Sequence, residues 1–508
     1  MVTTIAPRPR TRRLSGDAAL VAVGLTPVAV YVVIALQRIG YPYELSYFEG
    51  STVEVTARVV AGLPLYGPPT TDFTPWPYPP LYFWLGAAVS QVNGLSISSL
   101  RWVSFGASLI VLVLIALIVR RAGGSAVAGI VAAGVYAASY RVSGAWADTA
   151  RVDSLLLALL LGAILVGLRA RSWAGGAAVA GLLFLAFLTK QNALVVAVPV
   201  LCWLLAYRRS TGIWATGTLV VAVAVSTWIG DSVTDGWYSP SVFGQLLGQP
   251  WAPQWLAGFW LLDIALPFAM VIALMVWLLR RIRHGPAIGP TRWRRDGDTA
   301  YLLACVTGLL LAGWAGRIHD GGYANVAMPA HAAVALSFGL VVASARRRPE
   351  FSRRAALTIA AALAVQFAVM SLWRTQVLPT DTDRNAGDSF IATVARHPGR
   401  VLIPSHPYYL RLAGLPTHAS AIAIQDALRS NTGRVCVAVR AILPWDLTGV
   451  DAVVLDNQGE ATLFGDQLTR DFTLVSAAVI PTGVFVPVTD TPSRPTLLFV
   501  RTSALQVP

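Results

Sequence analysis

Five groups of polar side chains interrupt the apolar runs of this sequence, and their types suit acid–base and anion chemistry. Glu44, Glu49, Glu54 and Asp72 form the first group, and Asp148, Arg151 and Asp153 the second. Lys190 and Gln191 form the third, and Asp231 and Asp235 the fourth. Arg317, His319, Asp320, Tyr323 and Asn325 form the fifth. A carboxylate beside a hydroxyl takes its proton, and a fixed cation stabilises an anion as it departs. Lys190 stands out because it is the only lysine among 39 basic residues. A lone ammonium between closely spaced apolar helices faces water or a counter-ion, or it snorkels to the interface.

Each remaining group also has a plain structural reading. Glu49, followed by Gly50, suits a site that a substrate approaches closely, or the N-terminus of a helix. Glu54 and Arg58 have the i,i+4 spacing of a helix-surface pair. Asp153 leads into an apolar run and is placed to cap it. His319 and Asp320 supply two metal ligands where a stable site needs more. A divalent metal therefore stays open, and no cofactor is assigned. The aromatic stretch at 73–84 reads as an interface belt before a sugar platform.

The elements that must position these groups are membrane helices. The 508 residues are 55% hydrophobic and 13% charged, whereas a soluble protein carries about 25% charged residues. The net charge of +14 comes from short arginine clusters between apolar runs, which is an orientation signal and not a nucleic-acid groove. Cys202, Cys305 and Cys436 give neither a disulfide framework nor a zinc spacing. The basic start MVTTIAPRPRTRRLSGD precedes an apolar stretch with no evident cleavage site, which predicts a first membrane helix and not a removed signal. Eleven helices are expected, at 17–37, 103–119, 125–140, 154–168, 174–189, 193–207, 212–230, 256–279, 299–316, 331–345 and 355–373. The TKQN break at 189–192 separates the fifth from the sixth.

Arginine placement orients the map. Arg8, Arg10, Arg12 and Arg13, then Arg120 and Arg121, Arg169 and Arg171, and Arg208 and Arg209 fall on one side. So do Arg280, Arg281, Arg283, Arg292, Arg294 and Arg295, and Arg346, Arg347, Arg348, Arg353 and Arg354. That side is expected to be cytoplasmic. Residues 1–374 then form the membrane domain. Its first extracytoplasmic loop, 38–102, carries a short helix after Gly50 and an interfacial helix with Tyr82, Phe83 and Trp84 at headgroup level. Residues 375–508 form a small extracytoplasmic α/β domain, with strand-like runs at 401–404, 452–456, 484–488 and 496–500 and a helix-like run at 386–397. It has no nucleophile elbow or phosphate loop, so it reads as a support or acceptor-binding domain.

The order of several motifs resembles the GT-C membrane glycosyltransferases, in the bacterial branch related to protein O-mannosyltransferases and the lipid A aminoarabinose transferase. The motifs are Glu49–Gly50, ARVVAGLPLYG at 57–67, YPPLYFWL at 78–85, Arg101, RVD at 151–153, FLTKQNAL at 187–194 and RIHDGGYAN at 317–325. The resemblance covers about residues 17–345. It implies a polyprenyl-phosphate sugar donor, an envelope glycan, glycolipid or protein acceptor, and transfer with inversion in the bacterial plasma membrane. It also implies catalytic roles for Glu49 and Asp153. Lys190 and Arg317 would face the donor phosphate or sugar, with Gln191, Arg151, Asp148, His319, Asp320, Tyr323, Asn325 and Glu44 lining the substrate site. Many members carry Asp-Glu where this chain has Phe48-Glu49, so the base is Glu49, Glu44 or another acid. A lipid transporter or flippase would share the helices, but no internal repeat is visible. A non-catalytic sugar-lipid-binding protein of the same fold is the other alternative.

Overall fold

The computed structural model describes residues 10–284 and 297–505. Arg8, Arg292, Arg294 and Arg295 of the predicted inner clusters lie outside them. The helical part runs α1 (Arg10–Ile39), α2 (Phe48–Val60), α3 (Leu81–Asn93), α4 (Ile97–Gly123), α5 (Ala126–Ala138) and α6 (Asp153–Gly167). It continues through α7 (Trp173–Thr189), α8 (Ala193–Tyr207), α9 (Arg209–Val233), and the short turns α10 (Gln245–Leu247) and α11 (Gln254–Gly258). The last long helices are α12 (Ala269–His284), α13 (Asp298–Arg317), α14 (Met328–Arg346) and α15 (Arg353–Ser371).

Ten of the eleven predicted segments coincide with one helix each. Among the described residues, six are long and apolar enough to cross a membrane, and α5, α6, α7 and α8 are shorter apolar helices. The segment expected as one helix at 256–279 is instead two pieces, bent by 76°. Pro267 sits at the break, where a missing N–H and ring clash end the first piece. The helix expected at 103–119 starts at Ile97, so Arg101 lies inside α4.

Small residues set the spacing of the bundle. A Cβ on Gly134 of α5 would fall 2.3 Å from the Gly24 carbonyl oxygen of α1, so the two backbones touch as small-residue membrane helices do. Ion pairs tie the ends that carry the arginine clusters. Arg208 and Arg171 both reach Asp298, at 2.8 Å and 3.2 Å, and Arg346 holds Asp17 at 2.6 Å.

The C-terminal region holds all four strands of the described residues: β1 (Val401–Leu402), β2 (Ala452–Leu455), β3 (Phe472–Ser476) and β4 (Leu497–Arg501). Their order is β1-β2-β4-β3, with β1 and β2 parallel and the other pairs antiparallel. Around the sheet lie α16 (Asp381–Ala395), α17 (Pro407–Leu412), α18 (Ala421–Arg429), α19 (Gly433–Ala441) and α20 (Asp466–Asp471). The strand expected at 484–488 is absent. Pro487 cannot donate to a ladder, Phe485 has φ 60°, and the segment instead packs onto the membrane half. Strand β3 was not expected, because its side chains are mostly exposed and do not alternate cleanly.

Candidate active site

At the bundle end that bears the C-terminal region lies a cavity of about 260 Å³. Several separate stretches of chain build it. The first loop gives Phe48, Pro77 and Tyr78, and the approach to α6 gives Arg151. The junction of α7 and α8 gives Lys190, Gln191 and Asn192, and the loop after α13 gives His319, Tyr323 and Asn325. Asp426 and Arg429 of α18 close it from the C-terminal side.

The helix break that presents Lys190 is local. Lys190 is the C-cap of α7, with extended backbone and its N–H on the Ala186 carbonyl. Its Nζ meets Asp153 Oδ1 at 2.8 Å. Asp153 Oδ2 accepts from Asn325 Nδ2 at 3.0 Å and lies 3.8 Å from Arg151 Nε. Asp153 therefore fixes Lys190, Arg151 and Asn325 with one carboxylate, and it does not itself line the cavity. It starts α6 without a side-chain capping bond, which the sequence had offered as its alternative role.

Arg151 rests on aromatic faces, 4.1 Å from the Phe48 centroid and 5.1 Å from that of Trp146. Such contacts favour the cation by about 0.5–2 kcal/mol. Its Nη2 donates to the Tyr78 hydroxyl at 3.3 Å. Its Nε and Nη1 are buried with no hydrogen-bond partner, an arrangement suited to an incoming anion. Gln191 donates to the Pro77 and Val242 carbonyls, at 2.7 Å and 2.5 Å, which fastens the proline-rich loop over the α7–α8 junction.

The other acids named from sequence lie in a frame behind the cavity. Glu49 is fully buried, with Oε1 2.8 Å from Arg101 Nε and Oε2 2.6 Å from Arg101 Nη2. It also accepts from the Ala150 N–H at 2.8 Å and the Leu45 N–H at 2.7 Å. Burial raises its pKa, but the charge and hydrogen bonds of Arg101 and the two N–H groups outweigh it, so the carboxyl sits below its ordinary value. Asp148 pairs with buried Arg38 at 3.0 Å and accepts from Tyr140 at 2.8 Å. Glu44 meets His406, whose other nitrogen lies 3.0 Å from Asp456.

Several sequence readings change accordingly. Lys190, Gln191, Arg151, His319, Tyr323 and Asn325 do come together, whereas Glu44, Glu49 and Asp148 face away into the frame. Gly50 answers to packing and not to a substrate: a Cβ there would fall 1.9 Å from Glu44 Oε1 and 2.8 Å from Tyr408 Cβ. Glu54 pairs bidentately with Arg411, both contacts at 2.7 Å, and not with Arg58, which lies over Phe73. Tyr82 and Phe83 are core residues, and only Trp84 of that trio is exposed. Arg317 pairs with Asp263 at 2.9 Å and lies over Trp255, outside the cavity lining. Asp320 is 58% exposed and faces Arg429 at 3.4 Å. His319 and Asp320 thus diverge, and no three His, Cys, Asp or Glu side chains among the described residues converge as metal ligands. Asp231 holds the Ser239 N–H and hydroxyl, and Asp235 takes a left-handed turn conformation.

The sequence reading missed Arg38, Asp263, His406, Asp426 and Arg429. Arg38 gave a signal, a lone charge closing the first apolar run. Asp426 gave none, since IAIQDALRS reads as an ordinary amphipathic helix.

A family model described as dolichyl-phosphate-mannose-protein mannosyltransferase matches residues 77–230, the stretch that carries Tyr78, Arg151, Asp153, Lys190 and Gln191. ArnT from Cupriavidus metallidurans bound to undecaprenyl phosphate aligns with a TM-score of 0.59 at 12% identity, over 95% of this chain and 99% of that one. The archaeal oligosaccharyltransferase AglB from Archaeoglobus fulgidus, in complex with an inhibitory peptide and a dolichol-phosphate, aligns with a TM-score of 0.52 at 13% identity. That alignment covers 96% of this chain and 75% of AglB. A search of curated proteins by sequence finds no match. The chain is a multi-pass membrane protein with the GT-C fold. Within that class it resembles the protein mannosyltransferases and ArnT.

Proposed function

We propose that the protein is a glycosyltransferase of the bacterial plasma membrane. It moves a sugar from a polyprenyl-phosphate donor to an envelope glycan, glycolipid or protein, with inversion at the anomeric carbon. The N-terminus is cytoplasmic, and the C-terminal region and the cavity are extracytoplasmic. Residues 1–374 are the transferase domain and 375–508 a domain docked upon it.

One observation carries this reading: Lys190 and Arg151, both bound by Asp153 from behind, present their charge to a shared cavity. An anion that forms as a bond breaks is stabilised most by cations already fixed in place. The acceptor oxygen bonds to the anomeric carbon, the carbon–oxygen bond to phosphate breaks, and its electron pair stays on the phosphate beside Lys190 and Arg151. Asp153 and Glu49 act here as positioning residues. Asp153 orients the two cations, and Glu49 holds α2 to α4 through Arg101.

The test uses purified protein in lipid, a panel of radiolabelled polyprenyl-phosphate sugars and membrane-derived acceptors. Wild type is expected to transfer from one donor, and Lys190→Ala to lose about 100-fold or more of that rate. Full transfer by Lys190→Ala would remove the assignment of this cavity to donor phosphate.

A further inference from the structure

The transfer reaction also needs a group that takes the proton of the acceptor hydroxyl. Glu49, Asp153 and Asp148 of the membrane half are already committed, while Glu44, which keeps a free Oε1, faces His406 outside the cavity lining. Glu49 accepts four hydrogen bonds from Arg101, Ala150 and Leu45. Both oxygens of Asp153 are held, by Lys190 and Asn325. Asp148 lies fully buried against Arg38 and Tyr140.

The cavity lining contains one carboxylate among the described residues, Asp426, and it comes from the C-terminal region. Its position on α18 is built. Arg429, one turn further on, donates to Oδ1 at 2.6 Å, and Arg429 is itself 3.4 Å from Asp320. No described residue donates to Asp426 Oδ2. The Tyr47 and Tyr323 hydroxyls, 3.1 Å apart, lie beside the same pocket, and Arg151 of the opposite wall acts on the carboxylate electrostatically. Resting on the transferase reading above, we propose that Asp426 is the catalytic base, and that the C-terminal region completes the active site. Burial raises the pKa of Asp426, against the pull of Arg429 and Arg151, which makes it a stronger base than an ordinary carboxylate.

The step balances without a further reactant. The acceptor O–H bond breaks and its proton passes to Asp426 Oδ2. The freed oxygen pair bonds to the anomeric carbon, and the sugar–phosphate bond pair leaves with the phosphate. The competing base in the lining is His319, whose Nδ1 is buried without a partner and whose ring lies 6.0 Å from that of Trp251. It lines the same cavity with Gly321, Gly322 and Tyr323 of the loop after α13.

The experiment compares wild type, Asp426→Asn, Asp426→Glu and His319→Gln as full chains in lipid, with the donor that wild type uses. Two quantities are read: the transfer rate against pH, and stabilisation by undecaprenyl phosphate, the product lipid of the proposed reaction. Asp426→Asn is expected to lose about 100-fold or more of the rate while still binding undecaprenyl phosphate, which shows that it is folded. Asp426→Glu is expected to keep part of the rate with a displaced acid limb. Transfer by Asp426→Asn within about fivefold of wild type would overturn the assignment, as would a loss of about 100-fold confined to His319→Gln. Wild type that transfers from no donor would overturn the transferase reading itself, and this inference with it.

Discussion

The carboxylates of the membrane half and those of the C-terminal region are held in contrasting ways. In the membrane half, Glu49, Asp148 and Asp153 are buried and matched one by one to Arg101, Arg38 and Lys190. At the face of the C-terminal region, Asp426 is held through one oxygen, and Asp490 has a buried Oδ2 with no partner. Burial lifts the Asp490 carboxyl to about 6, against the pull of Arg151. Its backbone has φ 76°, a conformation that costs a non-glycine residue energy unless its surroundings hold it. Neighbouring bonds hold it: the Thr489 N–H donates to the Leu45 carbonyl at 2.8 Å, and Arg38 donates to the Thr489 hydroxyl at 2.9 Å. Glu49 and Asp153, held through both oxygens, build a frame, and Asp426 and Asp490, each with one oxygen left free, are available for protons.

The largest effect that would break this contrast comes from the frame. Glu49→Ala leaves the Arg101 guanidinium buried and unpaired, and removing one partner of a buried pair costs about 3–5 kcal/mol. The variant is expected to lose most of its folded fraction in detergent, read by size-exclusion fluorescence. A wild-type elution profile and melting point would show that the pair is dispensable.

Next in size is Asp153→Asn. It keeps the shape but removes the charge that orients Lys190 and Arg151, and a loss of about 2–4 kcal/mol in transition-state stabilisation is expected. The rate should fall while polyprenyl-phosphate affinity changes less. An unchanged rate would free Asp153 from any part in the site.

A third prediction concerns the docking of the C-terminal region on the first loop. Burial alone would lower the His406 pKa, but Asp456 and Glu44 together raise it well above its ordinary value. Burial raises Glu44, against the pull of His406. Both raised values mean that the folded protein binds protons more tightly than the unfolded chain, so stability falls as pH rises. The contribution of His406 is whole below its ordinary pKa of about 6.5 and is lost as pH climbs through its raised value. Melting temperature should therefore decline toward alkaline pH, and His406→Gln should flatten that decline. A decline of equal slope in the variant would place the titration elsewhere.

The smallest expected effect is at Phe48, where the sequence departs from the Asp-Glu pair of similar proteins. Phe48→Leu removes the face under Arg151, worth about 0.5–2 kcal/mol. A change of a few-fold in donor affinity with little change in fold is expected. A loss as large as that of Asp153→Asn would mean that Phe48 itself shapes the reacting geometry.

The helices were legible in the sequence because an apolar stretch of spanning length and a pair of arginines are local signals. The cavity was half legible. Lys190, Arg151 and Asn325 stood out as polar residues in apolar surroundings, and they do meet. Their partners could not be read, because ion pairs here join distant positions. Glu49 and Arg101 are 52 residues apart, and His406 and Glu44 are 362 apart. The same distance hid Arg411 from Glu54, so the i,i+4 spacing of Glu54 and Arg58 suggested a bond that tertiary contact overrides. The run at 484–488 has strand-like residues, yet its backbone is bound by Arg374 and by the Asp383 carboxylate and joins no sheet.

The central claim is that donor phosphate sits between Lys190 and Arg151, facing an acid from the C-terminal region. An electron cryomicroscopy map of the protein in nanodiscs with undecaprenyl phosphate tests it most directly. The account predicts phosphate density within hydrogen-bonding reach of Lys190 Nζ and Arg151 Nη1, with Asp426 across the cavity. Phosphate density bound elsewhere, with the cavity empty of lipid, would contradict it.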